Sequence, residues 1–117
     1  MIPQTVYADL SVFTPSTADT HVESFNPDNN YATSSEMAVF TDATRAVRSL
    51  VKFDLSTIPP GSTINAAYLL LHIDTYDGFP ASRKYLANRI TRDWIDTQAT
   101  WNIYKTGSNW ATPGGDY

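Results

Sequence analysis

The chain has 117 residues, enough for one domain built on one hydrophobic core. Charged residues make up 17%, aromatic residues 13%, and the formal net charge is −4, with the eight Lys and Arg scattered along the chain. That balance excludes a disordered polyelectrolyte and a duplex-binding surface, which needs a clustered cationic footprint, and the lack of cysteine excludes disulfides and thiolate metal sites.

Residues 6–13 (VYADLSVF) alternate, with Val6, Ala8, Leu10 and Val12 on one face, and read as a first strand that Pro15 stops. Residues 18–24 (ADTHVES) read as a second, more polar strand. The stretch 25–35 (FNPDNNYATSS) is a loop dense in turn formers. A third strand is expected at 36–41 (EMAVFT) and a fourth at 47–55 (VRSLVKFDL). Ile58-Pro59-Pro60-Gly61 is a loop, since neither proline can donate a ladder hydrogen bond. The strongest strand signal lies at 64–73 (INAAYLLLHI), with Ala67, Leu69, Leu71 and Ile73 expected inward and Tyr68, Leu70 and His72 outward. A turn cluster at Asp77-Gly78-Phe79-Pro80 leads to a sixth strand at 83–91 (RKYLANRIT). Beyond Trp94 the chain reads as irregular. Six short strands with turn signals between them predict an all-β sandwich or barrel. The longest apolar stretch, residues 66–71, is far too short to cross a bilayer, and residues 1–4 lack the basic start and apolar core of a secretory signal.

Several phrases carry a resemblance. They are Asp19-Thr20-His21-Val22 with Asn29-Asn30-Tyr31; Arg48 leading into residues 50–56 (LVKFDLS); Ile58-Pro59-Pro60-Gly61 with Ile64 and residues 67–71; Asp93-Trp94 with Thr100-Trp101-Asn102; and Trp110 with Pro113-Gly114-Gly115-Asp116. In this order, over residues 19 to 116, they resemble the DNRLRE-domain proteins, a group that includes an alginate-binding family of carbohydrate-binding modules. The resemblance implies a β-jelly-roll without catalysis, used for adhesion, polysaccharide binding or assembly. Family domains usually continue past the Pro-Gly-Gly-Asp phrase. The expected organisation is therefore a single jelly-roll-type module over 1–117, incomplete at its C-terminus, and either truncated or completed by another chain. An uncovered sheet edge favours strand donation between chains. The apolar outer face of 64–73 is a second departure, and Tyr68, Leu70 and His72 are its candidate protein-interface residues.

No nucleophile elbow, phosphate loop, dinucleotide fingerprint or zinc motif occurs, so no catalytic residue is assigned. Asp93 and Asp96 flank Trp94, but glycoside hydrolysis needs a cleft and a set carboxylate separation, and turn chemistry explains them as simply. Asp19, Asp28, Asn29, Asn30 and Asp116 are oxygen-bearing positions that could hold a structural calcium, the alternative being plain turn formation. Trp94 and Trp101 read as core anchors, whereas Tyr31 and Trp110 are freer rings for stacking on a sugar. With Lys52, Arg83 and Arg89 they form the candidate ligand-binding set; Lys84 and Arg92 are further basic residues available to an acidic polymer.

Two functions follow. The first is a non-catalytic virion structural, decoration or surface-attachment module, at the virion surface or otherwise extracellular. Its partners would be capsid or tail proteins or copies of itself. An initial Met without a secretory signal, in a chain that resembles extracellular modules, motivates it. The alternative is a polysaccharide-binding, alginate-type module of a secreted bacterial or archaeal protein, with an acidic polysaccharide as partner. Neither involves nucleic acid or membrane insertion.

Overall fold

The computed structural model describes residues 10–72 and 84–117. Its strands are β1 (Ala18–Glu23), β2 (Phe40–Thr41), β3 (Ala46–Lys52), β4 (Ile103–Lys105) and β5 (Ser108–Asn109). One sheet has the order β1-β3-β2 and the other is the β4-β5 hairpin; every pairing is antiparallel. Among the described residues there is no helix, so the chain is all-β.

The β2–β3 reversal is made by one aspartate. Asp42 Oδ1 accepts the backbone N–H groups of Thr44 (2.9 Å) and Arg45 (2.7 Å), and its Oδ2 accepts the Arg45 guanidinium. These bonds, the Thr44 N–H first, hold the Asp42 carboxyl down at about 2. The β1–β3 ladder pairs Ala18 with Lys52, Thr20 with Leu50 and Val22 with Arg48. Directly opposed residues share a sheet face, so these six form one face. Val22 and Leu50 on that face pack with Trp94, Ala99 and Trp110, and Ala18, Ile90, Trp101 and Tyr104 close around them. The opposite face carries His21, Glu23 and Val47 and is covered by the loop after β1. There the Tyr31 ring stacks on His21, with centroids 4.3 Å apart, and the Tyr31 hydroxyl donates to Glu23 (2.6 Å).

The loop is pinned to the C-terminal half. Asn30 Nδ2 donates to the carbonyls of Asp96 (2.6 Å) and Ala99 (2.7 Å), and Asn102 Nδ2 donates to Asp28 (2.8 Å). The two Asn30 bonds satisfy backbone carbonyls of the irregular 95–102 segment, and the Asn102 bond is accepted by the Asp28 carboxylate.

The sequence expectations meet six corrections. The third strand shortens to Phe40–Thr41, and the fourth ends at Lys52 rather than at residue 55. Residues 64–72 and 84–91 form no strand, although both have strand composition. A β-forming sequence becomes a strand only where a ladder partner meets it, and no such partner occurs among the described residues. Both alternating sets at 67–72 are exposed: Tyr68 and Leu70 are 86% and 90% accessible, and the expected inward Leu69 and Leu71 are exposed as well. Residues 10–13 also lie outside any strand. The stretch after Trp94, read as irregular, contains the β4-β5 hairpin, turned at Gly107 with φ +74°. Residues 6–9, Ile73, the 77–80 turn and Arg83 lie outside the described residues. The two antiparallel sheets are compatible with a β-sandwich.

Candidate functional site

The core face of β3 places its long cations at the rim of the core, where their stems cover apolar surface and their heads reach outward. Arg48 lies over two rings, its guanidinium carbon 5.1 Å from the Trp101 centroid and 5.3 Å from that of Tyr117. Its Nη1 donates to the Gly114 carbonyl (3.0 Å). Gly114 has φ +90°, and a Cβ there would lie 2.7 Å from the Trp101 ring and 2.9 Å from Arg48 Nη1. Glycine is thus required for the chain to pass this close to the Arg48–Trp101 contact. Lys52 Nζ sits 5.0 Å from the Trp94 centroid, donates to the Trp94 carbonyl (3.1 Å) and approaches Asp93 (3.6 Å). Arg92 and Lys105 both lie over the Tyr104 ring, at 6.0 and 5.6 Å.

Asp116 ties the last turn together. Its Oδ1 accepts the Thr112 N–H (2.8 Å), and its Oδ2 accepts the Ala111 N–H (3.0 Å) and Arg92 Nε (2.8 Å). The Thr91 N–H donates to the Asp116 carbonyl (2.9 Å). Thr91, Arg92, Thr112, Gly115, Asp116 and Tyr117 thereby line an open cleft of about 440 Å³. A second open cleft of about 490 Å³, formed by residues 11–17 with Asp54 and Thr57, has no cation in its lining and only Phe13 as a ring.

The Ala111 N–H, then Arg92 and Thr112, hold the Asp116 carboxyl below the usual aspartate range. Burial pushes Glu23 up, but the Tyr31 hydroxyl, the Asn26 amide and His21 outweigh it and bring Glu23 below its ordinary value. A depressed carboxylate stabilises the fold above its unfolded pKa, and that stability is lost as the pH falls through the folded value. Thermal stability is therefore expected to be level near neutrality and to fall below about pH 4. Asp116→Asn should flatten part of that decline in melts taken between pH 7 and pH 2; an acid branch parallel to wild type would remove Asp116 from the explanation.

The sequence-predicted site residues that the structure describes are not gathered into one place. Trp110 is 4% exposed, and its indole N–H donates to the Thr100 carbonyl (2.9 Å), so it belongs to the core and offers no free face. Tyr31 is half-buried, with one face against His21. Lys52 lies at the core rim, and Arg89 is exposed. Tyr68, Leu70 and His72 are exposed, as are their neighbours Leu69 and Leu71. Asp28, Asn29 and Asn30 share one loop, where Asp28 and Asn30 hold Asn102, Asp96 and Ala99; Asp19 accepts from Ser16 (2.6 Å) and Asp116 from its own turn. Among the described residues no three His, Asp or Glu side chains come together as a metal site. Sequence reasoning missed the roles of Arg48, Tyr104 and Tyr117. Alternation along β3, which sets Arg48 and Lys52 on the face of Leu50, was the available signal for the first.

A small all-β body with cations held over aromatic rings beside an open cleft has the build of a binding module. Carbohydrate-binding module family 96 matches residues 11–106, and the chain belongs to that family. The family is one of non-catalytic binding modules, which agrees with the lack of catalytic motifs in the sequence. No curated protein and no solved structure matches the chain.

Proposed function

We propose that the chain is a polysaccharide-binding module of alginate type, a jelly-roll relative of the DNRLRE domains, belonging to a secreted bacterial or archaeal protein. The observation that carries this reading is the family match over residues 11–106. It favours the polysaccharide reading over the virion one and lends no support to capsid or tail partners. The surface agrees with it chemically, since sugar rings stack on aromatic faces and acidic substituents pair with cations. A net charge of −4 repels an acidic polymer at long range. Screening limits that repulsion to about 8 Å at physiological ionic strength, so local cations such as Arg48, Lys52, Arg92 and Lys105 decide contact.

The test is electrophoresis of the full chain through gels containing alginate, polygalacturonate or a neutral β-glucan. Retardation by the acidic gels, weakening as salt is raised, is the expected result. Migration unaffected by all three polymers rejects the reading. A second reading, assembly with neighbouring protein through residues 64–72, is supported by the exposure of Tyr68 and Leu70. Sedimentation that shows only monomer at high micromolar concentration rejects self-assembly through this segment.

A further inference from the structure

We propose that the Phe25–Arg45–Phe40 cluster is a subsite for one pyranose ring, with the Phe25 ring as its platform and the Arg45 guanidinium as the donor to two adjacent ring hydroxyls. This rests on the polysaccharide reading and deepens it, by adding a contact that reads hydroxyl geometry and not charge.

The cluster is built from β3 and the segments beside it. Arg45 immediately precedes β3, and Phe40 pairs with Val47, which also pairs with Glu23. Directly opposed residues share a face, so Phe40 lies on the face of the sheet that carries His21 and Glu23. Arg48, with the Trp101 ring and the Gly114 carbonyl, lies on the other face. All groups of the cluster belong to residues 23–47, and none to the 111–117 turn.

Arg45 is held in place before a ligand arrives. Its guanidinium carbon sits 5.1 Å from the Phe40 centroid and 5.8 Å from the Phe25 centroid. Its Nε and Nη2 both donate to Asp42 Oδ2, at 2.9 and 2.7 Å. Asp42 is fixed in turn by the N–H groups of Thr44 and Arg45. One side of the guanidinium is therefore engaged. Nη1 has no partner among the described residues, and the Arg45 side chain is 52% exposed. A guanidinium carries five N–H groups in a rigid fork. The end formed by Nη1 and the second Nη2 hydrogen thus stays open to two oxygens side by side. A group ordered before binding loses little entropy when it binds. Phe25 is 46% exposed, which leaves an apolar surface for the C–H face of a sugar beside that fork.

Charge decides the class of ligand. Asp42, 2.7 Å from Arg45 Nη2, balances the guanidinium. Glu23, which accepts from Tyr31 and Asn26, adds a second carboxylate on the same face. The two carboxylates outnumber the one guanidinium, so an anionic substituent gains no net attraction here. Hydroxyls meet no such opposition. Two adjacent ring hydroxyls present two acceptor oxygens on one edge, which suits the open end of the fork.

The test compares wild type, Phe25→Ala, Phe25→Leu and Arg45→Lys as full chains in three gels, each at low and high salt. Polygalacturonate and glucomannan are linked through O4 and leave O2 and O3 free side by side. A β-glucan linked through O3 leaves no adjacent ring hydroxyls. Near-ultraviolet circular dichroism checks that the buried indoles stay packed. Phe25→Leu keeps apolar bulk without a flat face, and Arg45→Lys keeps the Thr44 bond of the Asp42 turn, so each tests the contact with little disturbance of the fold. Both Phe25 variants should weaken retention by polygalacturonate and by glucomannan by up to about tenfold, the size of one aromatic contact. The factor should be the same at both salt concentrations, because the lost contact is uncharged. Arg45→Lys, which keeps the charge and loses the fork, should weaken retention severalfold. Both Phe25 variants folded and retained like wild type overturn the subsite and leave the polysaccharide reading intact. A loss confined to polygalacturonate at low salt overturns the neutral assignment. Wild type retained equally by the β-glucan overturns the hydroxyl-pair assignment. No retention by any polymer overturns the subsite and the polysaccharide reading together.

Discussion

Trp110→Ala is expected to destabilise the protein by about 3–5 kcal/mol, the usual cost of deleting a buried large aromatic side chain. Trp110 is 4% exposed and packs in the cluster with Val22, Leu50, Trp94 and Ala99. Its ring also meets Tyr104 at 5.5 Å and a 54° tilt, a geometry that suits two aromatic quadrupoles. The alanine would leave a cavity between the β1-β3-β2 sheet and the C-terminal segment. It would also remove the N–H that satisfies the Thr100 carbonyl, adding roughly 1 kcal/mol. Domains are typically stable by about 5–15 kcal/mol, so the loss is a large share of the whole. Trp110→Phe keeps most of the ring and should cost less than half as much. Urea unfolding followed by far-ultraviolet circular dichroism measures both; an unchanged midpoint for Trp110→Ala would mean that the ring does not hold the core together.

Gly114→Ala is the second large effect. Its positive φ alone costs a side-chain-bearing residue on the order of 1–3 kcal/mol. A Cβ would also press on the Trp101 ring at 2.7 Å and on Arg48 Nη1 at 2.9 Å. Either the turn opens or the Arg48–Trp101 contact breaks, and both outcomes displace the Arg48 guanidinium. Stability and retention in acidic gels should fall together. Gly107→Ala is the matched control. Gly107 has φ +74° but nothing within 4 Å of a Cβ, so it carries conformational strain without the collision. If the two variants lose equal stability, the close approach at Gly114 contributes nothing.

Much of the all-β character is legible in the order of residues alone. The second predicted strand, 18–24, is nearly the observed Ala18–Glu23, and the fourth overlaps Ala46–Lys52 along most of its length. In both, β-forming residues alternate between two buried faces, and a partner exists. Trp94 proves to be buried in the core, as its sequence setting suggested. The site is far less legible. Trp110 and Tyr31 look alike in sequence as free rings, yet one is enclosed by the core and the other lies against His21.

The sequence by itself determined the all-β class, the turn positions rich in Asn, Asp, Gly and Pro, and the lack of catalytic motifs. Those follow from local chemistry, since backbone preference and side-chain alternation act within a few residues. Tertiary structure alone decided which β-forming segments became strands, which aromatic rings stayed open, and which cations met carboxylates. Residues 64–72 have a stronger strand pattern than β1, yet among the described residues only β1 meets a partner. The Arg92–Asp116 pair and the Arg48–Tyr117 contact join residues 24 and 69 positions apart, and no local pattern encodes either. Pairing and exposure are long-range properties: a side chain's face can be read from its neighbours in sequence, but what covers that face cannot.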